Sequence, residues 1–129
     1  MALKVTNVPS RLAQTLVTDT DADVTTNVGS GNNVFTGVTL ANKFYSVRID
    51  NSAVNAVTWV KIQDATTYNT ANDPTFRLYV PASSVSDYVI PAGLALSNGF
   101  SFIATSTSAS TGTQVEPSDS CIVTVLGGT

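Results

Sequence analysis

The sequence predicts an all-β protein, an antiparallel β-sandwich of jelly-roll or immunoglobulin-like connectivity. Three observations predict it. Thr, Ser, Val and Asn dominate the 129 residues, while Glu occurs once, at Glu116. Thr and Val are stiff at χ1 and suit a pleated surface, and the good helix formers are scarce. Apolar and polar residues alternate with a period of two in several short stretches. Turn residues separate those stretches at regular intervals, which gives about seven to nine strands. A chain of 129 residues is expected to form one domain. It should bury roughly two thirds of the surface its unfolded form exposes, enough for a core without disulfides or metal.

Taken in order, the first stretch has apolar residues at Leu3, Val5, Val8, Leu12, Leu16 and Val17, interrupted by Pro9. Residues 1–18 read either as an arm lying across a neighbouring subunit or as a first strand, LAQTLVT, with a single sandwich domain over 19–129. Asp19, Asp21 and Asp23 then match the start of a calcium loop, where alternate oxygens converge on a hard cation. The rest of that signature fails, because Val24 stands where Gly is needed and Ser30 where a bidentate Glu is needed. Solvated turn acids are the better reading, and no metal ligand is assigned. Val24–Val28 and Val34–Leu40 predict a hairpin around the loop Gly29–Asn33.

Phe44–Asp50 predicts a strand with Tyr45, Val47 and Ile49 on its buried face. Val57–Gln63 follows after a turn at Asn51-Ser52. Thr58, Val60 and Ile62 share one face of it, and Val57, Trp59, Lys61 and Gln63 the other, more polar one. Asp64–Asp73 is a long polar loop of the kind that is functional or mobile. Phe76, Leu78 and Val80 alternate with Arg77 and Tyr79, and Pro81 ends the strand. Pro91-Ala92-Gly93 and Asn98-Gly99 predict turns on either side of Leu94-Ala95-Leu96. Phe100–Thr105 restarts the alternation, Ser106–Ser120 is a hydroxyl-rich loop, and Cys121–Leu126 is a last strand. The expected core is Tyr45, Val47, Ile49, Val60, Ile62, Phe76, Leu78, Val80, Phe100, Phe102, Val123 and Val125. Cys121 is expected inside as a small hydrophobe.

This order of pieces carries a resemblance. FYSVRIDNS, the strand with Val60-Lys61-Ile62, FRLYVPA, IPAG, SNGFSF and CIVTVLGG follow one another between Phe44 and Leu126. The pattern resembles small virion-surface proteins of tailed bacteriophages, which decorate or cement the capsid shell. The resemblance implies a structural protein on the capsid exterior that binds the major capsid protein and reinforces contacts between its subunits. It also implies a homo-oligomer, with a trimer favoured by the threefold positions of an icosahedral shell. The loops Asp64–Asp73 and Ser106–Ser120 are the expected contacts or exposed tips.

Composition narrows the chemistry independently. The chain has no histidine and one cysteine. Ser-His-Asp and Cys-His nucleophiles, histidine zinc sites and thiolate cages are therefore out of reach. No P-loop, G-x-S-x-G or G-x-G-x-x-G motif occurs. A carboxylate pair drawn from Asp50, Asp64, Asp73, Asp87, Glu116 and Asp119 is what remains. Most of these lie in turn contexts, where Asp is expected as a turn former. The expectation is no enzyme, no catalytic residue and no cofactor. The net charge is −3 and the six Lys and Arg are scattered singly. Nucleic-acid binding would call for a basic stripe, so it is not expected.

MALKVTNVPS lacks a long apolar core and no run approaches the roughly 20 residues of a membrane span, so synthesis in a host cytoplasm is expected. The alternative reading is a receptor- or carbohydrate-binding module of a phage fibre or tail. Trp59, Tyr68, Tyr79 and Tyr88 would be its candidate aromatic platform.

Overall fold

A computed structural model describes residues 15–22 and 43–128, in which seven strands and no helix occur. The strands are β1 Thr15–Ala22, β2 Lys43–Asp50, β3 Thr58–Gln63, β4 Phe76–Val80, β5 Val85–Ala95, β6 Ser101–Thr105 and β7 Cys121–Gly128. They form a four-stranded sheet of order β1-β7-β2-β5 and a three-stranded sheet of order β4-β3-β6. Every pairing is antiparallel. The predicted hairpin at 24–40, Asp23 and residues 1–14 lie outside the described residues.

Among the described strands the order has one feature in common with a jelly roll. Here β1 and β7 are neighbours in one sheet. The pairs β3·β4, β2·β5 and β1·β7 nest one around another along the chain, as in the folded ribbon of a jelly roll. β1 includes residues 15–18, so the boundary expected at 18/19 falls inside a strand. Asp19 and Asp21 also lie in β1, next to an irregularity between Asp19 and Ala22, and not in a turn.

The core lies between the sheets. The four-stranded sheet contributes Phe44, Val47, Ile49, Cys121, Val123 and Val125, and the three-stranded sheet Val60, Ile62, Val80, Phe102 and Ala104. Phe44 is the aromatic hub. Its ring meets Phe76 at 5.9 Å and Phe100 at 5.1 Å, both edge-to-face, and Phe100 meets Phe102 at 6.1 Å. Edge-to-face pairs add stabilisation beyond the area they bury. Phe76 and Leu78 are half-buried, because β4 is a sheet edge among the described strands.

Tyr45 is a correction. Strict alternation places it inside, yet Phe44 is buried and Tyr45 only half-buried. The cause is a β-bulge. Phe44 pairs Gly127 and Ser46 pairs Leu126, so Tyr45 is an extra residue opposite β7. One extra residue reverses the alternation, and Phe44 turns inward with Val47 and Ile49.

The same place explains IPAG. On the other side of β2, Phe44 pairs Leu94 and Ser46 pairs Val89, so Ile90–Gly93 form a larger excursion within β5. The expected turn at Pro91-Ala92-Gly93 is therefore a bulge inside one strand, whereas Asn98-Gly99 does lie in a turn. Gly93 has φ 76°, and a Cβ there would stand 2.7 Å from Cε1 of Tyr45. Only glycine fits the left-handed backbone and the ring pressed against it.

Two turns need polar help. Asn51 is fully buried. Its amide donates to the carbonyls of Ala56 and Pro81 at 3.0 Å each, and its Oδ1 accepts from the Thr58 hydroxyl at 2.7 Å. One side chain thus ties the β2–β3 turn to the β4–β5 turn. In the latter, Ser83 adopts φ 53° without being glycine, and its N–H donates to Val54.

Phe102→Ala should cost about 3–5 kcal/mol, the scale for emptying a buried aromatic site. A loss below about 1 kcal/mol in urea denaturation would contradict its place in the core. Gly93→Ala should cost about 1–3 kcal/mol through backbone strain and the Tyr45 clash. An unchanged midpoint would show that the bulge tolerates a Cβ.

Candidate interaction faces

Among the described residues no group of three His, Cys, Asp or Glu is placed to hold a metal ion, and no helix is long and apolar enough to cross a membrane. The acids singled out from the sequence are dispersed into local roles. Asp50 accepts from the Ser52 N–H at 3.0 Å and from its hydroxyl, and those bonds hold its carboxyl below the usual range. Asp87 pairs with Arg48 at 3.3 Å, exposed on the sheet surface. Asp119 accepts from the Ser120 N–H at 2.7 Å. Asp73 and Glu116 are exposed.

Asp64 has the largest structural role. Its carboxylate accepts backbone N–H bonds from Ser97 at 3.0 Å, Asn98 at 2.8 Å and Gly99 at 3.2 Å. It thereby fixes the turn between β5 and β6. Burial pushes its carboxyl upward, but the three N–H groups outweigh burial and hold it below 3.8.

The outer face of the three-stranded sheet is covered over Lys61 and Gln63 and open at Arg77 and Tyr79. Lys61, expected on the more polar face of its strand, has no exposed surface. Its ammonium donates to the Ala109 carbonyl and to Oε1 of Gln114, the latter at 2.6 Å. Neither partner is charged. Desolvation first, and the nearby Arg77 second, push its pKa below 10.5. Gln63 is also buried. It donates to the carbonyls of Asn69 and Asn72 and accepts from the Asn69 N–H. The loop 64–73 is thus wound around one glutamine, and Gly112 of the second loop donates to Thr70 at 2.9 Å. Alternation did not reveal this cover, because polar residues at every second position normally mean solvent.

Of the four candidate aromatics, two share a surface. Trp59 and Tyr79 are cross-strand partners, edge-to-face at 5.2 Å. The Arg77 guanidinium lies 5.7 Å from the Trp59 ring centroid and donates to the Ser108 carbonyl at 2.9 Å. Trp59 is half-buried and Tyr79 is 45% exposed. Tyr88 instead packs against the core and its hydroxyl donates to the Tyr79 carbonyl. Tyr68 is 2% exposed and its hydroxyl has no partner. Burial alone pushes that phenol up to about 12.

The outer face of the four-stranded sheet is different in character. Its register sets three rows across β7, β2 and β5: Leu126–Ser46–Val89, Thr124–Arg48–Asp87 and Ile122–Asp50–Val85. Aliphatic side chains occupy the four corners around the Arg48–Asp87 pair. Val89 is 65% exposed and Val85 42%, while Ile122 and Leu126 are half-buried. Two exposed valines and two half-buried aliphatic residues thus frame an exposed ion pair on this face.

No protein-family model matches the chain, and no curated protein or solved structure is significantly similar to it.

Three titrations follow. Asp64→Ala should cost about 2 kcal/mol at neutral pH, the worth of hydrogen bonds to a charged group. Asp64 has a lowered folded pKa, so its contribution is present above the unfolded value and fades as pH falls through the folded one. The variant's acid unfolding curve should be flatter. On the alkaline side, Lys61 binds its proton less tightly when folded, so stability should rise with pH from its lowered pKa up to about 10.4. Tyr68 keeps its proton when folded, so stability should fall between 10.0 and about 12. Lys61→Met should abolish the rise and Tyr68→Phe the fall. Tyr68→Phe should also stabilise by about 1 kcal/mol, since it removes a buried hydroxyl without a partner. A destabilised Tyr68→Phe would mean the hydroxyl has a partner after all.

Proposed function

We propose that the protein is a structural virion component on the outside of a tailed-phage capsid, where it reinforces contacts between major capsid subunits. The observation that carries the reading is the outer face of the four-stranded sheet, with Val85, Val89, Ile122 and Leu126 around Arg48–Asp87. A face of this kind meets another protein surface. An antiparallel β-sandwich with nested strand pairs is an architecture that viral capsid domains, lectins and cupins all use, so it permits the reading without carrying it. The missing histidine and the local engagement of Asp50, Asp64, Asp87 and Asp119 favour an interaction protein over an enzyme. The lack of a basic stripe favours the exterior over a surface against packaged nucleic acid.

The mechanism is a clamp across subunit boundaries. A protein that binds only the assembled lattice stabilises that lattice by mass action. Many copies on one shell add avidity, and a homotrimer on a threefold position would triple each attachment. A stable contact needs about 1,200–2,000 Å² of buried surface, so the sheet face would be the centre of a larger footprint.

Deleting the gene and heating purified particles tests the role. Particles without the protein should lose their nucleic acid at a lower temperature than wild type. Val89→Asp tests the face. Its fold stability should change by no more than about 0.5 kcal/mol, as at other exposed sites, while its occupancy on particles drops. If stripped particles are equally heat-stable and only host adsorption is lost, the protein is a receptor-binding component instead.

A further inference from the structure

We propose that Tyr79, Trp59 and Arg77 form a binding site for an acidic saccharide, a sugar ring carrying a carboxylate such as a hexuronate. The site lies on the outer face of β3 and β4, away from the sheet face assigned to docking, and does not rest on that assignment.

Charge is the first argument. Lys61 and Arg77 are directly opposed cross-strand partners. Like charges in that position repel. Among the described residues neither forms an ion pair with a carboxylate, in a chain of net charge −3. Lys61 is sealed beneath the loop with only neutral acceptors. Arg77 is exposed, and the single protein bond described for it runs from Nη1 to Ser108. Its remaining donors form a planar fork suited to a carboxylate. A bound anion would relieve the repulsion between the two cations.

Shape is the second argument. The guanidinium lies over the Trp59 ring, 5.7 Å from its centroid, and Tyr79, which meets Trp59 edge-to-face, offers the exposed ring at 45% exposure. Aromatic faces take the apolar C–H face of a pyranose, and their rigid rings lose little entropy on binding. The β4 backbone at Tyr79 is held, since its carbonyl accepts from the Tyr88 hydroxyl. Arg77 is held by Ser108. The cation is thus set over Trp59 before any ligand arrives, which lowers the ordering cost of binding. A bare anion would use only Arg77 and a neutral sugar only the rings. A uronate uses both, and this is why the site is assigned to that class.

Trp59 is the only tryptophan in the chain, so its fluorescence reports on this site alone. The full-length protein would be titrated with trigalacturonate, neutral maltotriose and triglutamate. Trigalacturonate should give a saturable change with a Kd of about 1 mM, a value typical of one small exposed site. Maltotriose and triglutamate should each bind about tenfold more weakly, each lacking one of the two recognition elements. Arg77→Gln and Tyr79→Ala, both at exposed positions, should weaken trigalacturonate by about tenfold. The Trp59 indole N–H resonance provides a second readout where a variant alters the emission. No saturable response to trigalacturonate, or a response that both variants leave unchanged, would overturn the proposal. Triglutamate binding as tightly as trigalacturonate would overturn it too, and would make the patch a contact for acidic protein segments.

Discussion

A lysine ammonium with no access to water organises one whole side of this protein. The central strand β3 places Lys61 and Gln63 on the outer face of a three-stranded sheet, and both are buried. Buried polar groups must find partners or destabilise the fold. Lys61 therefore draws the segment at Ala109 and Gln114 over the sheet, and Gln63 winds the 64–73 loop around itself. The two loops then meet at Thr70 and Gly112, and Asp64 extends the chain of bonds to the turn at 97–99. Two segments that look like loose polar connections become a fitted cover. The position of Arg77, anchored on Ser108 of that cover, is a result of it.

The opposite sheet depends on irregularity. Without the bulge at Tyr45, Phe44 would point to solvent and the cluster of Phe44, Phe76 and Phe100 would lose its centre. The bulge in turn requires glycine at position 93, where the Tyr45 ring lies against the backbone. A hydrophobic hub, a backbone excursion and one glycine thus stand or fall together.

Much of the architecture is legible in the sequence for physical reasons. β4 and β7 alternate regularly, because each carries an uninterrupted pleat, whereas in β3 and β6 the cover also buries the outward residues Lys61, Gln63, Ser101, Ile103 and Thr105. Val60, Ile62, Val80, Phe102, Val123 and Val125 are buried as that alternation requires. β2 and β5 are harder to read, because a bulge hides in a strand that still looks regular, and Pro-Ala-Gly has the same composition in a bulge as in a turn. The candidate faces are less legible still. That Trp59 and Tyr79 adjoin depends on the register of β3 and β4, and the corner valines depend on the register of β5 with β2. Register is a long-range property that no local pattern encodes. The burial of Lys61 depends on a segment nearly fifty positions away, and nothing near residue 61 announces it.

A sheet edge is also a place where copies of one protein can join without limit, strand to strand, into fibres. β5 is such an edge among the described strands, yet its regular pairing with β2 ends at Val89, where the excursion holding Pro91 begins. Asp87 places a charge in the middle of the short regular stretch. A neighbouring chain that tried to extend the sheet would meet a missing N–H, a kink and a carboxylate within a few residues. The excursion that serves the core from inside therefore also interrupts, among the described strands, the straight edge that another strand would need.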